Sequence, residues 1–238
     1  SYWLCPECDL LQTDPVDWNE EAYSLAVSST DCGVMYRNMK LAKSVESFLL
    51  AHGLERCKLL DFAGGFGLMT RLLRDRGIDA YWLDSYSPNL VARGFEYAET
   101  VRYPVVAAFE VMEHMGNPGI EIGSIFEAYR PEYFLFSTTL RREGVVPPRE
   151  WGYYTFITGQ HVALYSGRTL RWIAGKHGYH FSQWGGMHVF SRRVPTAMWL
   201  RPLAAIKNRL RALFHEPLDC IRADQAACEK RLGSRQAG

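Results

Sequence analysis

Leu60-Asp61-Phe62-Ala63-Gly64-Gly65-Phe66-Gly67 is the stretch on which the reading of this chain turns. The apolar run Lys58–Phe62 reads as a short strand entering a glycine cluster. Leu68–Arg76, ended by Gly77, reads as the helix that follows. Glycines let a backbone turn tightly and approach a ligand with no side chain in the way. The first turn of the helix behind them presents unpaired N–H groups, which suit an anionic or polar ligand. The next strand, Ala80–Asp84, ends in an acid. A carboxylate there can accept two hydrogen bonds from a ribose diol, and this logic fits any adenosine-bearing cofactor. Two narrower readings fail. The nicotinamide fingerprint G-x-G-x-x-G needs a third glycine where Thr70 stands, and no Gly-Lys-Ser/Thr of a Walker loop is present.

Outward from this stretch, apolar residues at helical spacing predict a helix over residues 34–52, stopped by Gly53. Pro88–Arg93 reads as a short helix, Val105–Val111 as a buried strand, Ile120–Tyr129 as a helix and Tyr133–Ser137 as a strand. A long loop rich in aromatics and arginine follows. A helix over residues 167–178, ended by Gly178, leads to a hairpin, His180–Trp184 with Met187–Ser191, around Gly185-Gly186. Strands alternating with helices imply an α/β fold with a doubly wound, mostly parallel sheet. Ligands in such sheets bind beyond the carboxyl ends of the strands. The segments 61–67, 84–86, 109–114 and 137–141 are therefore expected to share one crevice. Residues 1–18 read as irregular. Trp199, Leu203, Ile206, Leu210 and Leu213 predict a C-terminal helix with arginines between them. The expected organisation is an arm over residues 1–33, a central domain over 34–194 and a helical extension over 195–238.

Composition narrows the function classes. Of 238 residues, 47% are hydrophobic and 22% charged, which excludes disorder and collagen-like arrays. A formal net charge of +1 gives no global field toward nucleic acid or an anionic membrane. The apolar runs are too short to span a bilayer. The first residues lack the basic flank and apolar stretch of a signal peptide, so a reducing, cytoplasmic setting is expected for the six cysteines. Cys5-Pro6-Glu7-Cys8 is half of a zinc ribbon. Tetrahedral zinc needs four ligands, and no second such pair exists, so no metal is expected.

The glycine stretch, with Asp84, resembles the first motif and ribose-binding acid of class I S-adenosylmethionine-dependent methyltransferases. Phe109-Glu110-Val111-Met112-Glu113-His114-Met115-Gly116-Asn117-Pro118 resembles the segment ending that family's fourth strand, and Phe134–Leu140 its fifth. Gly159-Gln160-His161, Tyr165-Ser166 and Thr169-Leu170 resemble a stretch of bacterial members with unassigned or sugar-related substrates. Ala63 departs from the pattern, where many members carry glycine.

The resemblance implies a seven-stranded sheet with an antiparallel last strand, and S-adenosylmethionine as cofactor with S-adenosylhomocysteine as product. It implies that Ala63, Gly64, Gly65, Phe66 and Gly67 pass under the methionine part and that Asp61 orients this loop. Asp84 would hold the ribose, with Tyr86 beside the adenine. Phe109 and Glu110 would line the cofactor, and Arg37 is a candidate for its carboxylate. On the acceptor side, His114, Tyr154 and above all His161 are the catalytic candidates. His161 either takes a proton from an attacking hydroxyl or braces its loop through a backbone hydrogen bond. The acceptor is expected to be a small molecule or sugar, and a homodimer is possible. A nicotinamide-type oxidoreductase and a non-catalytic cofactor-binding module stand as alternatives.

Overall fold

A computed structural model describes residues 1–14, 31–156, 159–194, 206 and 217–236. In chain order the first elements are β1 (Tyr2–Leu4), β2 (Leu11–Thr13), α1 (Val34–His52), β3 (Lys58–Phe62), α2 (Leu68–Asp75), β4 (Asp79–Leu83) and β5 (Val105–Ala108). Then come α3 (Pro118–Tyr129), β6 (Tyr133–Phe136), β7 (Ala163–Leu164), α4 (Gly167–Lys176), β8 (His180–Trp184), β9 (Met187–Ser191) and α5 (Pro217–Gln236). Short 3-10 turns occupy Met112–His114 and Gly152–Tyr154. The larger sheet has six strands, β3 to β6 with β8 and β9, and the smaller has three. The α/β class therefore holds, with six strands in the larger sheet among the described residues where seven are expected. No helix among those residues is long and apolar enough to cross a membrane.

The chain divides into two compact units. One comprises residues 26–107 and 196–238. Here β3 runs parallel to β4 on one side and to β5 on the other, with Asp61 opposite both Trp82 and Ala107. Strand β5 is buried throughout, which is why Val105–Ala108 reads as a continuous apolar run. Helix α1 buries Leu41, Ala42, Val45, Phe48 and Leu49 and ends where Gly53 turns left-handed at φ 68°. The span 88–93 does not form the expected helix. Its backbone is fixed instead by the Asn89 side chain, which accepts the Ala92 N–H at 2.9 Å.

The other unit comprises residues 1–25 and 108–195. In it β9 runs antiparallel to both β6 and β8, as the predicted hairpin and last strand require. Helix α4 starts with a capping box, Ser166 and Thr169 exchanging hydrogen bonds with each other's backbone. The amino terminus is not irregular: β1 and β2 form an antiparallel hairpin, and β2 continues onto β7. The predicted strand 105–111 stops at Ala108, because Glu110 takes a left-handed φ of 57° and the chain turns into Met112–His114. Trp199, Leu203, Leu210 and Leu213 of the predicted C-terminal helix lie outside the described residues.

Candidate functional site

The glycine loop is held from three directions within its own unit. Gly65 donates its N–H to Asp84 Oδ2 at 2.8 Å, and its carbonyl accepts the Trp82 indole N–H at 2.8 Å. The Gly64 N–H reaches the Leu83 carbonyl, and the Gly67 N–H the Gly64 carbonyl. Ala63, Gly65 and Gly67 all sit at positive φ, of 54°, 54° and 89°. A Cβ on Gly64 would stand 2.8 Å from Asp61 Oδ2 and 2.9 Å from the Trp82 ring, so the loop admits no side chain there. Phe66 receives the N–H groups of Leu90 and Val91 on its carbonyl, tying the loop to the segment after β4.

Asp61 is buried, and its Oδ2 accepts both the backbone N–H and the hydroxyl of Thr70, at 3.0 and 2.8 Å. It thereby caps the first turn of α2 from the preceding strand. Burial first, and the nearby Asp84 charge after it, push its carboxyl up to about 7, against the pull of the two Thr70 bonds. Thr70, read from the sequence only as a failed glycine, is thus the anchor of the loop. Asp84 accepts the N–H groups of Gly65, Tyr86 and Ser87, each at 2.8 Å. A carboxylate offers about four lone-pair directions, so about one remains for a ligand hydroxyl. The Tyr86 side chain beside it is 65% exposed and presents a ring face. Arg37 lies on α1 and is engaged by Asp31, at 2.6 and 2.9 Å.

The remaining candidates lie in the other unit. Glu110 donates its N–H to Ser137 Oγ at 2.8 Å, and Ser137 returns its hydroxyl to Glu110 Oε1 at 2.7 Å, which joins the end of β5 to the end of β6. Phe109 precedes it on the same turn. Glu113, His114 and His161 form a cluster whose ligand-type atoms all lie within 4.8 Å of one another. Glu113 is 1% exposed, accepts the Tyr153 hydroxyl on Oε1 at 2.7 Å, and has no hydrogen-bond partner on Oε2. Burial, then the Glu110 charge, raise its carboxyl to about 7. His114 Nδ1 meets the Gln160 carbonyl at 2.9 Å, and His161 Nδ1 the Tyr153 carbonyl at 2.6 Å. Burial is the main cause lowering the pKa of both imidazoles, which favours their neutral form.

Tyr154 points elsewhere: its hydroxyl donates to the Pro147 carbonyl, and its ring packs with Leu11, Leu164 and Tyr2. Its neighbour Tyr153, which the sequence did not single out, holds the cluster. Nothing in the local pattern separates these adjacent tyrosines.

Comparison with known proteins follows this geometry. No curated protein matches the chain. Among solved structures, an O-methyltransferase family protein from Burkholderia thailandensis is 15% identical, over 68% of this chain and 58% of that one, with a TM-score of 0.47. The mitomycin 7-O-methyltransferase MmcR is 14% identical over 66% of this chain and 52% of its own, with a TM-score of 0.46. A 1,6-didemethyltoxoflavin-N1-methyltransferase from Burkholderia thailandensis is 14% identical, over 79% and 95%, with a TM-score of 0.47. The chain thus spans little more than half the length of the first two. A family model described as a methyltransferase domain matches residues 35–183, from the start of α1 into β8 and more than half of the sequence. By that match, which takes in both the glycine loop and the Glu113 cluster, the chain belongs to the methyltransferase-domain family.

Proposed function

We propose that this protein transfers the methyl group of S-adenosylmethionine to a small-molecule or sugar acceptor, leaving S-adenosylhomocysteine. The observation that carries the cofactor is the Asp61–Gly67 loop fastened to Asp84 at the end of the neighbouring strand. The residues fit such a group. The glycine loop turns tightly with Gly65 and Gly67 at positive φ, Asp84 keeps a lone pair for a ribose hydroxyl, and Tyr86 beside it is exposed. When bound, the cofactor supplies an electrophilic methyl on a sulfonium sulfur.

The chain's own contribution to that displacement is alignment and exclusion of water. Effects of this kind are worth about 7–11 kcal/mol when reacting atoms are held in line. Trp151, Tyr153 and Phe156 lie on one segment and suit a ring-bearing or sugar acceptor. The six cysteines are all free, which supports work in a reducing, cytoplasmic compartment.

Calorimetry with S-adenosylhomocysteine tests the reading. Micromolar-range binding is expected, on the order of −8 kcal/mol. Asp84→Ala is expected to weaken it by about 1.5–3 kcal/mol, the usual worth of a hydrogen bond to a charged group. Circular dichroism checks that the variant is folded. No binding by the unaltered protein overturns the proposal, and equal binding by folded Asp84→Ala removes Asp84 from the site.

A further inference from the structure

We propose that Glu113, His114 and His161 form a binding site for one divalent first-row transition-metal ion. The inference rests on the geometry of residues 108–195 alone and stands apart from the cofactor reading. The three side chains bring one carboxylate and two imidazoles together, with ligand atoms within 4.8 Å of one another. Ligands of a common ion stand about 3–4 Å apart at metal–ligand distances near 2.1 Å, so a small side-chain rotation closes the set. Two imidazoles and one carboxylate suit Mn²⁺, Fe²⁺, Co²⁺ or Zn²⁺ better than Mg²⁺ or Ca²⁺, which prefer oxygen throughout.

Two further observations point to a cation. First, Glu113 Oε2 is buried with no hydrogen-bond partner. Buried carboxylate oxygens are ordinarily satisfied, and a metal bond satisfies this one. Second, each imidazole has its Nδ1 against a backbone carbonyl, Gln160 for His114 and Tyr153 for His161. A nitrogen so placed carries the ring proton, which puts the ligating lone pair on Nε2. This is the outer-shell arrangement that orients metal-binding histidines.

The site is also braced. The buried Tyr165 hydroxyl donates to the Met112 carbonyl, and the Val162 N–H to the Glu113 carbonyl, at 2.8 Å each. The Tyr2 hydroxyl donates to the His161 carbonyl at 2.5 Å. Three protein ligands leave coordination positions open to water or to a substrate oxygen. An imidazole that ligates through Nε2 is no longer a free base, so of the two readings of His161 this site excludes the proton acceptor, while its Nδ1 contact with the Tyr153 carbonyl fits the brace.

The test is titration of the full, chelator-treated chain with Co²⁺, followed by its visible absorption, with Mn²⁺ and Zn²⁺ as competitors. The expected result is one equivalent bound and one spectrum. Glu113→Gln keeps an oxygen for the Tyr153 hydroxyl and is expected to fold while losing Co²⁺ affinity by about tenfold or more. His161→Ala is expected to lose it similarly, and a Cys5→Ser/Cys8→Ser double variant to keep it. The proposal is overturned if the unaltered chain binds no stoichiometric ion. It is equally overturned if both cluster variants bind as it does, or if the cysteine variant alone loses the ion.

Discussion

Asp61 holds its loop by hydrogen bonds that a neutral side chain can also accept, in a buried place that disfavours charge. Its carboxyl is raised from 3.8 to about 7 in the folded protein. The folded state therefore binds more protons than the unfolded one between these values. The contribution to stability is fully present below about pH 4 and is lost as pH rises through about 7. Asp61→Asn keeps an oxygen for Thr70 and removes the charge. It is expected to be near neutral at pH 4 and stabilising by about 1–3 kcal/mol at pH 8, measured by urea denaturation at both values. An unchanged difference between the two pH values contradicts the assignment. The need for an acid before the glycines is legible in the sequence. Its partner Thr70 is not, because nothing but the α2 turn brings position 70 under position 61.

At the scale of elements, the amino-terminal hairpin shows how a short segment is secured. Strands β1 and β2 have three residues each, too few to be stable alone. The connection between them carries Asp9, at φ 62°, whose carboxylate pairs at 3.0 Å with Arg141, a side chain with 0% exposure. Arg141 also donates to the carbonyls of Asp9, Arg142 and Val145, and Thr169 of α4 donates its hydroxyl to the Asp9 carbonyl at 2.8 Å. Losing one partner of a buried pair leaves the other charge uncompensated, which costs about 3–5 kcal/mol. Asp9→Asn keeps the left-handed turn and some hydrogen bonding. A loss of about 2–4 kcal/mol is expected, read as a lower midpoint in denaturant with the slope unchanged. A midpoint equal to that of the unaltered chain means the pair contributes nothing net.

Across the whole molecule, the two chemistries fall in different compact units: the glycine loop and Asp84 in one, and the Glu113 cluster in the other. Sites with no shared partners are expected to respond independently, within about 0.5 kcal/mol. Glu113→Gln should therefore bind S-adenosylhomocysteine within about threefold of the unaltered chain, and Asp84→Ala should bind Co²⁺ within the same margin. Paired calorimetric titrations check both. A loss of both ligands in either variant shows that the two sites are energetically coupled.

Helix α1, the glycine loop, α2 and the β8–β9 hairpin were determined by the sequence itself, because their signals are local. Apolar spacing sets a helix face, glycine marks a stop, and Gly185-Gly186 closes a hairpin between two apolar runs. The end of β5 at Glu110, the strands near the amino terminus, the choice of Tyr153 over Tyr154, and the meeting of Glu113 with His161 were decided only by the tertiary structure. Each depends on groups far apart along the chain. Their proximity follows from closing long loops over a folded core, and no periodicity in the intervening residues records it.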